Sequence, residues 1–208
     1  LKNLLLIQPK SFLKRVYPKA LWNVNSTEKE LFLTFDDGPI PDLTEWVLDT
    51  LKEYNAKATF FCVGANILKH PRVFERIKTE GHTVANHTMH HIKGFKNSVS
   101  TYLSEVNSCE KLTNTKLFRP PYGQLKPSQY KALINAGYEV VMWDVISYDY
   151  EKITPQQCLS NAVKHCKSGS VVLFHDNVKA CENLTFALPL FLKHFANLQF
   201  KFKSLNRV

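Results

Sequence analysis

The feature that most constrains this chain is an alternation of two patterns along its length. Short apolar runs of strand size occur at Leu31–Phe35, Ala58–Val63, Thr83–Ala85, Leu117–Phe118, Tyr138–Trp143, Val171–Phe174 and Phe200–Phe202. Between them lie stretches with helical patterning, at Leu43–Tyr54, Pro71–Glu80, Val99–Leu112, Pro127–Ala136, Pro155–Lys167 and Ala180–Asn197. In the first of these, Trp46, Val47, Leu51 and Tyr54 return at helical spacing. Strands alternating with helices imply an α/β chain, with a parallel sheet covered by helices and either open or closed into a barrel. In both forms ligands gather beyond the C-terminal ends of the strands.

Those ends carry a distinctive set of residues. The run "LFLTF" stops at Asp36-Asp37, and Gly38-Pro39 then turn the backbone. Adjacent carboxylates repel, so a cation or proton relieves them, unless they serve only as turn and helix-cap residues. The third run leads into "NHTMHH", with His87, His90 and His91, and the fourth into "RPPYG", Arg119 to Gly123. The fifth ends in "WDVISYDY", carrying Asp144 and Asp149, and the sixth in "HDN", which starts at His175. So many strand ends bearing metal-type or acid–base side chains on one face exceed what capping explains.

His87 and His91 are four apart, close enough for one turn to aim both imidazoles at a single ion. His90 adjoins His91, so it points elsewhere and is the weaker candidate. His70, His82, His165 and His194 are read as structural. One aspartate with two histidines leaves a position open for water, the ligand count of a catalytic metal site. Zinc is the first choice, with cobalt, nickel or manganese as alternatives. The other aspartate is then free to act as a base on water whose pKa the metal lowers toward ~7. Arg119 suits holding a carboxylate ionised and fixed, with a surface ion pair as its alternative. Pro120 and Pro121 stiffen the loop and Gly123 lets it turn, so the Tyr122 N–H can be aimed at a developing oxyanion. His175 then serves as general acid, kept protonated by a carboxylate such as Asp149. The parts describe metal-assisted hydrolysis of an ester or amide.

Composition narrows the setting. At 208 residues and 44% hydrophobic, with no linker or repeat, the chain suits one domain with a sizeable core. No apolar stretch approaches the ~20 residues needed to span a bilayer. The opening "LKNLLLIQPKSFLKR" has an apolar run only from Leu4 to Ile7 and no small-residue cleavage site, a poor signal peptide. Cytoplasmic and cell-envelope locations both stay open. Cys62, Cys109, Cys158, Cys166 and Cys181 are odd in number and lack CxxC spacing, which fits reduced, mostly buried thiols. A net charge of +9 suits either a lysine-rich solvated surface or attraction to a polyanion. No nucleic-acid-binding signature accompanies it, and an anionic cell-envelope polymer would satisfy the same charge.

With these residues assembled, the chain resembles the polysaccharide deacetylases, the NodB-homology domain of carbohydrate esterase family 4. The resemblance runs from about Leu31 onward through motifs in the family's order: "TFDDGP" (Thr34–Pro39), "HTMHH" (His87–His91), "RPPYG" (Arg119–Gly123), "DVISYDY" (Asp144–Tyr150) and "VVLFHD" (Val171–Asp176). It implies a distorted (β/α) barrel of about seven parallel strands over residues 31–208. Residues 1–30 would form an N-terminal extension whose "YPKALWNV" packs on the domain's edge. It further implies Asp36 as base, His175 as acid, and Asp37, His87 and His91 as ligands of one divalent ion. Arg119 would orient Asp36, and Asp149 would tune His175. Leu173 would line the acetyl pocket, and Tyr122, Trp143 and Tyr150 would also contact substrate.

The implied activity removes acetyl groups from N-acetylglucosamine in chitin or peptidoglycan. An O-acetyl xylan esterase or a deformylase of lipid-linked aminosugars would share the chemistry. A non-catalytic carbohydrate-binding relative is the rival of another class, and the intact Asp36, Asp37, His87, His91, Arg119 and His175 argue against it. The expected partner is a polysaccharide or oligosaccharide, with no nucleic acid, no integral membrane segment and a monomer as default. Two positions depart from the family pattern: Tyr150 stands where Trp is usual, and Ile146 where an acidic residue is common. Both lie toward the groove's rim in the family, which bears on the substrate rather than the reaction.

Overall fold

The computed structural model describes residues 11–205. The opening residues read above as a poor signal peptide, and the first third of the 1–30 extension, lie outside them. In chain order the elements are α1 (Ser11–Val16), β1 (Glu30–Asp36), α2 (Leu43–Glu53), β2 (Thr59–Cys62), α3 (Gly64–Lys69), α4 (Pro71–Thr79), β3 (Thr83–Asn86) and α5 (Val99–Thr113). There follow β4 (Leu117–Phe118), α6 (Pro127–Asn135), β5 (Glu139–Val140), β6 (Val145–Ile146), α7 (Pro155–Lys164), β7 (Val171–His175), α8 (Cys181–Asn197) and β8 (Lys201–Lys203). Helices α4, α6 and α7 each begin at a proline, where a missing N–H costs nothing.

The strands form one parallel sheet in the order β5-β4-β3-β2-β1-β7-β6, with β8 beside the first residues of β1. Its edge strands β5 and β6 are joined only by Val141 to Asp144, and a chain spans at most ~3.6 Å per residue, so the sheet must curl. This is the expected distorted barrel.

Strand alternation then sorts β1 between two cores. Leu31, Leu33 and Phe35 face outward onto Val47, Leu48 and Leu51 of α2 and Leu184, Leu188 and Phe191 of α8. Phe32 faces the interior, in a layer with Phe61, Ala85, Leu117, Val141 and Val171 from the neighbouring strands. Thr34 and Asp36 continue the Phe32 face, so the same alternation carries Asp36 up the interior to the barrel's C-terminal mouth.

One expected element fails. Tyr138–Trp143 reads as a single strand, but the ladder stops at Val140 and resumes at Val145. The backbone between is claimed elsewhere. Leu21 N donates to Val140 O and Met142 N donates to Leu21 O, both at 2.8 Å. Val24 N donates to Gly169 O at 2.8 Å, and Asn23 bridges Ser170 antiparallel. Residues 21–24 therefore fill the seam between the two edges of the curled sheet. Just before them, Tyr17 packs edge-on against Tyr130 at 5.1 Å, and Lys19 N donates to Tyr130 Oη at 2.7 Å.

Replacing Leu21 by proline deletes the donor to Val140 O and leaves a buried carbonyl unpaired, a loss of about 1–3 kcal/mol. Urea unfolding should show a lower midpoint. An unchanged midpoint would mean that the seam contributes nothing to stability.

Candidate active site

The site grows from one fully buried guanidinium. Arg119 follows β4 and lies over the Phe61 ring, its Cζ 4.1 Å from the centroid. Its Nη1 donates to Asp36 Oδ1 at 2.7 Å and to Thr34 Oγ1 at 2.8 Å. Its Nη2 reaches Met142 O at 2.8 Å and its Nε Val141 O at 3.4 Å. Burial pulls the Arg119 pKa down, and the Asp36 carboxylate pushes it back. Arg119 is thus no surface ion pair. It fixes one oxygen of Asp36 and leaves Oδ2 turned toward His87, 3.8 Å from Nε2.

Asp37, one residue on, leaves the strand with φ of 85° and is carried to a different side. Its Oδ1 lies 2.9 Å from His91 Nε2 and 3.5 Å from His87 Nε2. Burial alone would raise the Asp37 carboxyl, but the two histidines hold it far below the usual carboxylate range. The loop carrying both histidines is coiled by positive φ at Thr88 and His91. It is gripped by α3, whose leading N–H groups, Gly64 and Ala65, donate to Thr88 O and Met89 O. His87 Nδ1 lies 2.8 Å from the carbonyl of Arg119, which can only accept, so Nδ1 is the donor there and Nε2 is the nitrogen turned to the site.

These three residues offer ligand atoms within 4.8 Å of one another. A tetrahedral ion with bonds of about 2.0–2.1 Å needs ligand atoms about 3.3 Å apart, which the spacings around Asp37 Oδ1 approximate. The donor set, one carboxylate and two imidazoles, fits a divalent ion. His90 points away, with Nδ1 3.0 Å from Glu105 Oε1.

Across the mouth, β7 pairs with β1 so that His175 stands beside Asp36. Asp149, fully buried, accepts from the His175 backbone N at 2.7 Å and from its Nδ1 at 2.8 Å. Burial works against an imidazolium there, but the Asp149 charge and hydrogen bond outweigh it and raise His175 to about 9. With Nδ1 engaged, Nε2 is the atom left for the cavity.

A cavity of about 860 Å³ joins these groups, lined by Asp36, Asp37, His87, His91 and His175. Leu173, Tyr122, Trp143 and Tyr150 also line it, whereas Arg119 and Asp149 sit behind the wall. Gly123 has φ of 64°, and a Cβ there would come 2.7 Å from the Trp143 indole. Tyr122 is 55% exposed, and its ring packs 4.6 Å from His91. Tyr150 packs edge-on against His175 at 4.6 Å. Ile146, expected toward the rim, is instead buried in the cavity wall.

Asp144 turns away and accepts from Ser170 Oγ at 2.8 Å. His82 is structural as expected. Its Nδ1 accepts from Ala58 N at 3.2 Å, and burial with Lys57 nearby keeps its pKa at about 4. The five cysteines are free thiols, three of them buried. Sequence reasoning missed the supporting polar shell of Asn66, Asp176 and Asn177. The last two stand in "HDN", directly after a residue already singled out.

Holding one divalent ion and moving protons on either side of it is the chemistry of a metal-assisted hydrolase. The chain belongs to the polysaccharide deacetylase family, whose pattern it matches over residues 23–141. A peptidoglycan-N-acetylglucosamine deacetylase of Bacillus cereus is 31% identical over 194 residues, covering 90% of this chain and 91% of that one. A chitooligosaccharide deacetylase of Rhizobium leguminosarum bv. trifolii is 31% identical over 159 residues, 73% of each chain. A crystal structure of the Bc1960 peptidoglycan N-acetylglucosamine deacetylase, bound to 4-naphthalen-1-yl-N-oxidanyl-benzamide, superposes with a TM-score of 0.86 at 30% identity, covering 94% of each chain.

The His175–Asp149 pair predicts a titration. Because the folded-state pKa of His175 is raised above 6.5, its stabilising effect is complete below that pH and is lost as pH rises through about 9. Asp149→Asn removes the raising charge and leaves burial to dominate. NMR titration should place the His175 ring well below 9 in the variant, and an unshifted ring would refute the pairing.

Proposed function

We propose that this protein hydrolyses the N-acetyl groups of N-acetylglucosamine residues in a peptidoglycan- or chitin-type polymer, with Asp36 as base and His175 as acid. The observation that carries the reading is the inequality of two adjacent carboxylates. Asp36 has one oxygen fixed by a buried guanidinium and the other turned to the cavity 3.8 Å from His87 Nε2, while Asp37 is directed at two imidazoles. The names of the similar enzymes favour an N-acetyl sugar over an O-acetyl xylan or a lipid-linked sugar.

Asp37, His87 and His91 would hold the metal, with zinc the best match to imidazole and carboxylate donors and cobalt, nickel or manganese as alternatives. When bound, the ion lowers the pKa of water toward ~7 and polarises the acetyl carbonyl. The protein's own groups do the rest. Asp36 Oδ2 accepts the proton of the attacking water, and Arg119 holds the other oxygen of that carboxylate in place. The Tyr122 N–H, on the loop stiffened by Pro120 and Pro121, would stabilise the oxygen of the carbonyl under attack. Leu173 and Trp143 shape an apolar recess for the acetyl methyl. As the C–N bond breaks, His175 Nε2 gives its proton to the departing amine, and acetate remains.

Acetate release from a panel of N-acetylated oligosaccharides tests the activity directly. Asp36→Asn should keep the metal and lose on the order of 10²–10⁴-fold in kcat. Asp37→Ala should lose the metal. The reverse pattern, or an active Asp36→Asn enzyme at neutral pH, would refute the assignment.

A second variant isolates the acid. His175→Ala should slow amide cleavage by a similar 10²–10⁴-fold factor yet cleave an aryl acetate nearly normally, since a phenolate leaves without a proton. Equal defects on both substrates would count against His175 as proton donor.

A further inference from the structure

The turn that presents Asp37 is gripped from the far end of the chain. A φ of 85° is a conformation that residues with a Cβ seldom adopt, so neighbours must hold it. Asn66 Nδ2 donates to the Asp37 carbonyl at 2.7 Å. Asp176 accepts from Gly38 N at 3.1 Å and from Thr44 Oγ1 at 2.6 Å. A Cβ on Gly38 would lie 2.0 Å from Asp176 Oδ2, so only glycine admits this approach. None of these bonds reaches the Asp37 carboxylate. Asn177 does, donating from Nδ2 to Asp37 Oδ2 at 2.5 Å.

The orientation of the Asn177 amide is settled by its other end. Its Oδ1 accepts from Ala180 N at 3.0 Å, which caps the short helical turn Val178–Ala180. Exchanging oxygen and nitrogen would set an acceptor against a carboxylate and a donor against an N–H. Both contacts would be lost at once. Asn177 also stands two residues after His175, just beyond the end of that strand.

We propose that Asn177 is a positioning residue for Asp37, holding Oδ2 so that Oδ1 alone faces His87 and His91. The inference rests on the reading of Asp37, His87 and His91 as metal ligands. Asp37 then offers a single oxygen to the ion, and its second oxygen is withheld from proton transfer. Base chemistry is left to Asp36. Removing the amide frees the carboxylate to rotate, and the three ligand atoms no longer converge.

Two substitutions separate this role from simple capping. Asn177→Ser keeps a hydroxyl acceptor for the Ala180 N–H but cannot reach Asp37, whereas Asn177→Ala loses both contacts. Zinc affinity of the full chain is measured by competition with a chromophoric chelator, and the metal-free melting temperature is measured alongside. Both variants should bind zinc about 10–100-fold more weakly, by the same factor, as loss of a partner to a ligand does elsewhere. Only Asn177→Ala should melt lower.

Wild-type affinity in both variants overturns the proposal. An affinity loss confined to Asn177→Ala, tracking its melting temperature, also overturns it, because that result assigns Asn177 to folding. A wild-type chain that binds no zinc, cobalt, nickel or manganese removes the metal reading itself, a distinguishable outcome.

Discussion

Everything at the mouth of this barrel depends on the ion pair between Arg119 and Asp36. Two charges taken out of water are costly to bury, and the cost is offset only if every donor finds a partner. Arg119 comes close to that condition, placing four of its five N–H donors on Thr34, Asp36 and the carbonyls of Val141 and Met142, over the face of Phe61. Two of those acceptors are backbone groups that a continuous fifth strand would have used in its own ladder. The guanidinium and a regular strand from Tyr138 to Trp143 are therefore alternatives. Arg119 also orients His87 through its own carbonyl. One residue thus contacts both the proposed base, Asp36, and a proposed metal ligand, His87.

The two halves of the proposed chemistry are tuned by opposite means. On the Asp36 side, a buried cation holds one carboxylate oxygen in place. On the His175 side, a buried carboxylate keeps an imidazole protonated. Each working group faces the cavity, and each tuning group lies behind it, away from solvent that would screen the pair. The parallel register of β1 and β7, which sets Asp36 beside His175, places the two arms at one height.

How much of this was legible in the sequence follows from the range of the interactions involved. The parallel sheet was legible because apolar periodicity is local, and the site because its residues stand directly after strands, where parallel folds gather chemistry. Asp36, Asp37, His87, His91, Arg119, Asp149 and His175 all stand at strand ends, and the structure brings them to one mouth. The broken strand was not legible, since the competitors for its backbone are Leu21 and Arg119, and nothing within Tyr138–Trp143 announces them. Helix α3 was missed for a related reason. Val63 stands at its N-cap with no side-chain acceptor, and its leading N–H groups are satisfied by Thr88 and Met89 on another strand's loop. Asn177 carried a local hint through its position in "HDN". Its partner, at the other end of the chain, carried none.

The seam filled by residues 21–24 bears on the order in which the molecule assembles. This segment is synthesised before any strand, yet its partners, Val140, Met142, Gly169 and Ser170, come from the last third of the described chain. It has no ladder to join until the sheet has curled and both edges stand in place. Contacts of such wide sequence separation carry a large loop-closure cost and slow folding. The carbonyls that receive the Arg119 guanidinium lie at this same seam. The candidate active site therefore stands where contacts of wide sequence separation meet.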